Sequence, residues 1–239
     1  MQFTDEGYII NTKKHGESSL LLTVLTREHG KLTGFARHCL SRKTLPIYQL
    51  GNLIKVDAYA RVEENMPSLR VELVSPLSVN FIADSKKLAA LSALCSLCNA
   101  CLPEKEPLES FYKTVDNFFN LTHEDNWITH YSYFEYYLLE YLGVGLDLSE
   151  CSATGSRDNL AYISPKTAKA VSAAAASGYE SRLFAFPKYI VDKNYHPEPK
   201  EVADLLAMTE FFLDRNFFKT HNLKFPVNRA SLCDKLNIK

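Results

Sequence analysis

The stretch that decides the fold of the first third of the chain is LLLTVLTREHGKLTGFA, residues 20–36. Its two apolar runs, 20–26 and 31–36, are short and contain aliphatic and β-branched residues, a composition typical of β-strands. The sequence Glu28-His29-Gly30 separates them, and Gly30 can adopt the positive φ that a tight hairpin requires. This stretch therefore predicts a β-hairpin.

Three more runs of the same kind lie on either side of the hairpin, at residues 8–10, 53–59 and 69–74. Five short strands within roughly 75 residues indicate a small barrel or sandwich. A five-stranded Greek-key barrel of the OB type has this size, and its open face and loops commonly hold single-stranded nucleic acid.

The apolar spacing changes to a helical period at residue 84. One helix is predicted from there to Pro103, a second over 108–119, and a third from Thr122, which has Asp125 three residues on as in a capping box. Further along, Ser164-Pro165 can begin a short alanine-rich helix that ends at Ala176. A final long helix is predicted from about Glu198.

These patterns predict an α+β protein. Its parts are an N-terminal OB-fold β-barrel, a helical domain and a small insertion that resembles a zinc knuckle without its ligands. The predicted bounds are residues 1–80 for the barrel, 81–145 and 190–239 for the helical domain, and 146–189 for the insertion.

The charge of the chain is balanced overall and uneven locally. Its 239 residues hold 27 Lys and Arg against 28 Asp and Glu, a net charge of -1, which excludes a polycationic or polyacidic protein. By region the net charge is +2 over residues 1–80, -5 over 81–145 and +2 over 146–239. The first residues lack the pattern of a secretory signal and no long apolar run follows, so a cytoplasmic protein that does not enter a membrane is expected.

The cysteines are the main hint of a cofactor. Cys95, Cys98 and Cys101 follow an iron–sulfur-like spacing, but they continue the apolar stripe of a predicted helix, which favours core packing. Cys151-x-x-Thr154-Gly155 resembles half of a zinc knuckle, and residues 172–176 occupy the place of its second half without a cysteine. No metal, cofactor or catalytic residue is predicted, because the phosphate-binding, zincin and nucleophile-elbow motifs are all absent. A cofactor-bearing enzyme that uses the three helix cysteines is kept as an alternative.

Basic residues point instead to nucleic acid. The stretch 36–43 follows a predicted strand, carries three cations and contains no acid. A track for a phosphate backbone needs several cations in line. Further cations occur on strands that could share one face. The predicted nucleic-acid contacts are Arg37, Arg42, Lys43 and Lys31, followed by Lys55, Arg61 and Arg70.

Several segments together resemble the RecO family of bacterial DNA repair and recombination mediator proteins. They span most of the chain in the order of that family. The segments are residues 5–10, 14–26, 29–31, 36–43, 139–143, 146–151, 154–155, 160–166 and 170–172.

The resemblance implies an OB barrel, a helical domain and an insertion that holds zinc in some members; this chain, with one cysteine at the four zinc positions, resembles a metal-free branch. It also implies binding of single- and double-stranded DNA, strand annealing, and, with RecR, the loading of RecA. The expected location is the bacterial cytoplasm, in association with the nucleoid. The acidic C-terminal tail of single-stranded DNA-binding protein is an expected partner, and Phe212, Arg215, Phe218 and Lys219 are the predicted contacts for it. A barrel that serves as an adaptor without annealing activity is the alternative.

Overall fold

The first strands close into a barrel. In the computed structural model, which describes residues 1–62 and 64–238, the strand order around the barrel is β1-β2-β3-β5-β4. The strands are β1 (Gln2–His15), β2 (Ser19–Thr26), β3 (Gly30–Ala36), β4 (Leu53–Tyr59) and β5 (Ser68–Ser75). All five predicted strands are confirmed.

The long first strand serves two neighbours. Its first half pairs with β4 and its second half with β2, and a register shift between Ile9 and Asn11 bends the strand between the two ladders. A short parallel pairing of Phe35 and Ala36 with Ser68 and Leu69 closes the barrel. Alternate residues point inward and form a core of aliphatic side chains.

The predicted hairpin turn is confirmed. Gly30 has a φ of 70°, and a Cβ at this position would lie 1.8 Å from the carbonyl oxygen of Glu106. Both the backbone conformation and the space require glycine here.

Seven α-helices follow or flank the strands in the described part of the chain. They are α1 (Val79–Ile82), α2 (Ser85–Cys101), α3 (Glu109–Leu121), α4 (Trp127–Tyr141), α5 (Lys188–Val191), α6 (Pro199–Phe212) and α7 (Val227–Leu236), with a π-helical turn at Leu213–Phe218 directly after α6. Asp84 caps α2 by accepting the N–H groups of Lys86 and Lys87, and Glu198 with Glu201 forms the capping box of α6. The α+β class and the starts of these two helices are thus confirmed.

Two helix predictions are wrong. Thr122 does not begin a helix: its hydroxyl donates to the Phe119 carbonyl at the end of α3, and α4 begins only at Trp127. The alanine-rich segment is not helical either. It contributes β7 (Ala170–Ser172) to a sheet of order β7-β6-β8 with β6 (Leu160–Ile163) and β8 (Phe184–Ala185). Pairing with β6 outweighs the helix propensity of alanine there.

The chain forms two compact units. One contains residues 1–125 and 226–236, and the other contains residues 126–225 and 237–239. The barrel therefore shares a unit with α1, α2, α3 and α7, whereas the sequence placed a domain boundary at residue 80. Within the described residues, no helix is long and apolar enough to cross a membrane.

Asp5 organises the hairpin between β2 and β3. Its carboxylate accepts the backbone N–H groups of Glu6, Glu28 and His29 and contacts the His29 ring Nδ1 at 2.8 Å. Burial alone would raise the pKa of Asp5, but the hydrogen bonds from His29, Glu28 and Glu6 outweigh it and lower the pKa below its ordinary value. The ionised form therefore stabilises the hairpin.

We expect Asp5→Asn to lower the free energy of unfolding by about 2 kcal/mol at pH 7, because the amide keeps one acceptor oxygen but loses the charge and places an NH2 group against backbone N–H donors. A group with a lowered pKa contributes stability above its unfolded-state pKa and loses it as the pH falls through the folded-state pKa. The difference between variant and wild type should therefore shrink below about pH 4. Urea unfolding at several pH values checks this, with the exposed Glu72→Gln as control. A difference that does not change with pH would contradict it.

Candidate nucleic-acid interface

The loop after β3, residues 37–44, is a structured segment that carries three exposed cations. Cys39 fixes its start: its N–H donates to the Ser18 carbonyl at 3.0 Å and its buried thiol donates to the Ala36 carbonyl at 3.2 Å. Thr44 fixes its end through hydroxyl contacts with Ser41 and the Cys39 carbonyl. These bonds leave the side chains of the predicted contacts at the surface, namely Arg37, Arg42 and Lys43.

Two lysines that the sequence analysis did not nominate lie at the same end of the barrel. β1 continues beyond its pairing with β4, and Lys14 is in register with Leu20, which is in register with Ala36. Arg37 directly follows Ala36, so the Lys14 and Arg37 backbones are two strands apart, about 10 Å by strand spacing. Lys13 precedes Lys14 and is also exposed.

These five cations are called the barrel-end cluster: Lys13, Lys14, Arg37, Arg42 and Lys43. Within residues 1–62 and 64–238, none of them has a carboxylate within the 4.0 Å of an ion pair. The turn between β1 and β2 contains one acidic residue, Glu17, whose negative charge opposes theirs. Their charges are thus available to an anionic partner, and only the sequence distance between residues 13 and 37 concealed that they belong together.

An aromatic side chain lies beside the cluster. Phe35 is half-buried, and the His15 ring contacts it with the ring centroids 4.8 Å apart. Phe35 is also in register with Ser68, where the loop between β4 and β5 ends, and its N–H donates to the Pro67 carbonyl. The closing strand pair therefore brings the loop that contains Arg61 to the same side of the barrel.

Lys31, a predicted nucleic-acid contact, is buried between the barrel and α2. Only 8% of Lys31 is exposed, and its Nζ donates to the Asn99 carbonyl near the end of α2 at 2.9 Å and lies 3.6 Å from Glu104. A cation at the carbonyl end of a helix stabilises that helix. Lys31 therefore joins the barrel to α2, and its side chain does not lie at the surface with the barrel-end cluster.

Lys55 and Arg70 do lie on one exposed face, as predicted, but that face is mixed in charge. Lys55 is in register with Glu6 on one side and Glu72 on the other. Arg70 is opposite Asp57, which also accepts the Thr4 hydroxyl. Acids directly across neighbouring strands offset each cation, so this face is a weaker candidate than the barrel-end cluster.

The four residues predicted to hold a protein tail are two buried aromatics and two cations that have partners within the chain. Phe212 and Phe218, two of the predicted contacts, are fully buried. Lys219 is exposed but paired with Asp214 at 2.6 Å. Arg215 lies over the ring of Phe211, 5.1 Å from its centroid, and donates to the Pro165 carbonyl.

The three helix cysteines are core residues, as predicted. Cys95, Cys98 and Cys101 are buried in α2, and burial raises the pKa of each thiol, to about 12 for the first and third. Such thiols are poor nucleophiles and poor metal ligands.

Cys151 has a different environment. Hydrogen bonds from Ser172 and Thr154 lower the pKa of its thiol to about 6, against the opposing effect of burial. In the described part of the chain, no group of three or more His, Cys, Asp and Glu side chains could hold a metal ion. The donor set around Cys151 therefore does not fit zinc, which needs about four such ligands.

Comparison with known proteins decides the family. Two family models match the chain, Recombination protein O N terminal over residues 1–77 and Recombination protein O C terminal over residues 82–224. The chain belongs to the RecO family. Membership places the protein in DNA repair and recombination.

Curated relatives match the chain over nearly its full length. The DNA repair protein RecO of Rhodospirillum centenum is 35% identical over 237 residues, covering 98% of this chain and 94% of the relative. The RecO protein of Cereibacter sphaeroides is 36% identical and covers 99% of both chains. That of Wolbachia pipientis wMel is 33% identical over 95% of this chain and 96% of its own.

Replacing the buried lysine separates its structural role from DNA contact in this RecO protein. We expect Lys31→Met to lower the free energy of unfolding by about 2 kcal/mol, because it leaves the Asn99 carbonyl without its donor. Affinity for single-stranded DNA, measured by fluorescence anisotropy where the variant is folded, should not change. The exposed Lys55→Met is the control and should leave the stability near that of wild type. A loss of affinity in the folded Lys31 variant would contradict the assignment.

Proposed function

We propose that this protein binds single- and double-stranded DNA through the barrel and anneals complementary strands. In this proposal the barrel is an OB fold, supported by its five strands and by their order around the closed sheet. OB folds bind nucleic acid on the face of strands 2 and 3 and with the loops that follow strands 1 and 4. The barrel-end cluster lies beside the first of these loops.

The observation that carries the proposal is the barrel-end cluster, whose five exposed cations have no ion pair within the described residues. Annealing requires two phosphate backbones to be neutralised together while the bases stay free to pair. Cations held on a structured loop meet this requirement, since phosphate contacts position a strand without reading its sequence. Phe35 and the exposed Tyr59 offer surfaces on which bases can stack.

The charge distribution supports moderate, salt-sensitive binding. A net charge of -1 gives no general attraction to DNA, so attraction must come from local surfaces. At physiological salt the field of an exposed charge extends about 8 Å. This distance is similar to the separation of about 10 Å between the Lys14 and Arg37 backbones. The five cations can therefore act on one strand together.

As a RecO family member, the protein is further proposed to act with RecR in loading RecA onto DNA that is coated by single-stranded DNA-binding protein. The acidic tail of that coating protein is a proposed partner. Its site should combine a cation with an accessible apolar surface. Phe212 and Phe218 are buried and do not offer such a surface. The proposed role is binding and positioning without catalytic turnover, in the bacterial cytoplasm at the nucleoid.

The adaptor function remains a second candidate because the overall charge of the chain is close to zero. In that case the barrel would bind protein only. Removal of the basic side chains would then leave DNA affinity unchanged.

An annealing assay tests the proposal. Complementary oligonucleotides coated with single-stranded DNA-binding protein should anneal faster at low salt when the wild type is added. The variant R37A/R42A/K43A should lose most of this acceleration. Engagement of five phosphates gives a log-log salt slope of about -3.5 on single strands, and the triple variant should reduce it to about -1.4. Absence of acceleration by the wild type would refute annealing.

The two lysines of β1 provide a separate test of the structural cluster. We expect K13A/K14A to change the salt slope on single-stranded DNA from about -3.5 to about -2.1, because two phosphate contacts are lost. The matched control K55A/R70A removes two cations from the mixed face and should alter the slope much less. Equal effects of the two double variants would show that the cluster has no special role.

A further inference from the structure

The insertion keeps the spacing of a zinc knuckle with a single cysteine. Two C-x-x-C pairs would occupy positions 151 and 154 in the first turn and 172 and 175 in the second. This chain has Cys151, Thr154, Ser172 and Ala175 there. Alanine cannot ligate a metal, so these side chains cannot complete a zinc site.

The second turn nevertheless contacts the Cys151 sulfur. The Ser172 N–H donates to the Cys151 Sγ at 3.2 Å. Ala175 packs against the small cluster that Cys151 forms with Val171 and Ala176. A hydrogen bond to the sulfur and apolar contacts thus hold together the two turns that carry these positions.

Backbone hydrogen bonds tie the two turns together. The N–H of Cys151 donates to the Ser156 carbonyl at 2.7 Å, and the N–H of Gly155 donates to the Cys151 carbonyl at 2.8 Å, which closes the first turn. The N–H of Ser152 donates to the Ala170 carbonyl at 2.8 Å and connects that turn to β7. A structural zinc ion performs this same task of connecting two turns.

We infer that the insertion is a zinc-knuckle scaffold in which the hydrogen bond from the Ser172 N–H to the Cys151 sulfur, with the backbone bonds between the two turns, replaces the metal. The insertion then folds without metal. This inference concerns the insertion alone and does not depend on the proposed DNA function.

The first test uses the unmodified full-length protein. Its thermal unfolding midpoint should be the same after dialysis against EDTA and after addition of one equivalent of Zn²⁺. A lower midpoint in EDTA that Zn²⁺ restores would overturn the inference.

A second test asks whether the sulfur holds the second turn. Cys151→Ala removes the acceptor, and we expect the Ser172 amide to exchange with solvent at least tenfold faster, as measured by hydrogen exchange. Cys151→Ser keeps an acceptor and should restore part of the protection. Unchanged exchange in the alanine variant would overturn the role of the sulfur.

A third test restores the ligands. T154C/S172C/A175C supplies three thiols in addition to Cys151 and should bind one Co²⁺ with the visible absorption of a tetrahedral thiolate site. The control A153C/A173C/A174C adds three cysteines at neighbouring exposed positions and should not. Equal Co²⁺ spectra of the two variants, or no tetrahedral spectrum in a folded first variant, would overturn the geometry. If the first variant folds only with metal, its ligand positions are confirmed; if it does not fold at all, the hydrogen-exchange test decides.

Discussion

The short parallel pairing of Phe35 and Ala36 with Ser68 and Leu69 is the interaction on which the rest of the barrel depends. It joins β3 to β5 and removes the open sheet edges that five strands would otherwise leave. The approach is close: a Cβ on Gly34 would lie 2.6 Å from the Pro67 carbonyl oxygen. Because the pairing ends at Ala36, the chain leaves the sheet there, and the basic loop begins beside the end of β1.

The barrel is also the surface on which the neighbouring helices pack. The Tyr8 ring stacks on Phe119 of α3 with centroids 4.1 Å apart, and its hydroxyl donates to Asp116 at 2.5 Å. Lys31 binds the carbonyl end of α2 from the other side of the hairpin. These contacts divide the barrel into a face that supports helices and an end whose cations are exposed, which explains why cations on adjacent strands have different surroundings.

Patterns local to one element were predictable. The five strands, the Gly30 turn, the starts of α2 and α6 and the core position of the three α2 cysteines all follow from spacing and residue type, because each depends on neighbours within a few residues. The two errors have different causes. Thr122 was assigned to the wrong helix because capping patterns are short, and the alanine-rich segment became β7 because β6 was available to pair with it.

The amino-acid sequence by itself determined the α+β class, the family and the basic character of residues 37–43, since these depend on composition and order along the chain. Only the tertiary structure decided which cations share a surface. It buried Lys31 against α2, set Lys55 between two acids and placed Lys13 and Lys14 beside Arg37. Burial and charge pairing depend on strand register and helix packing across many residues, and no local pattern in the sequence carries that information.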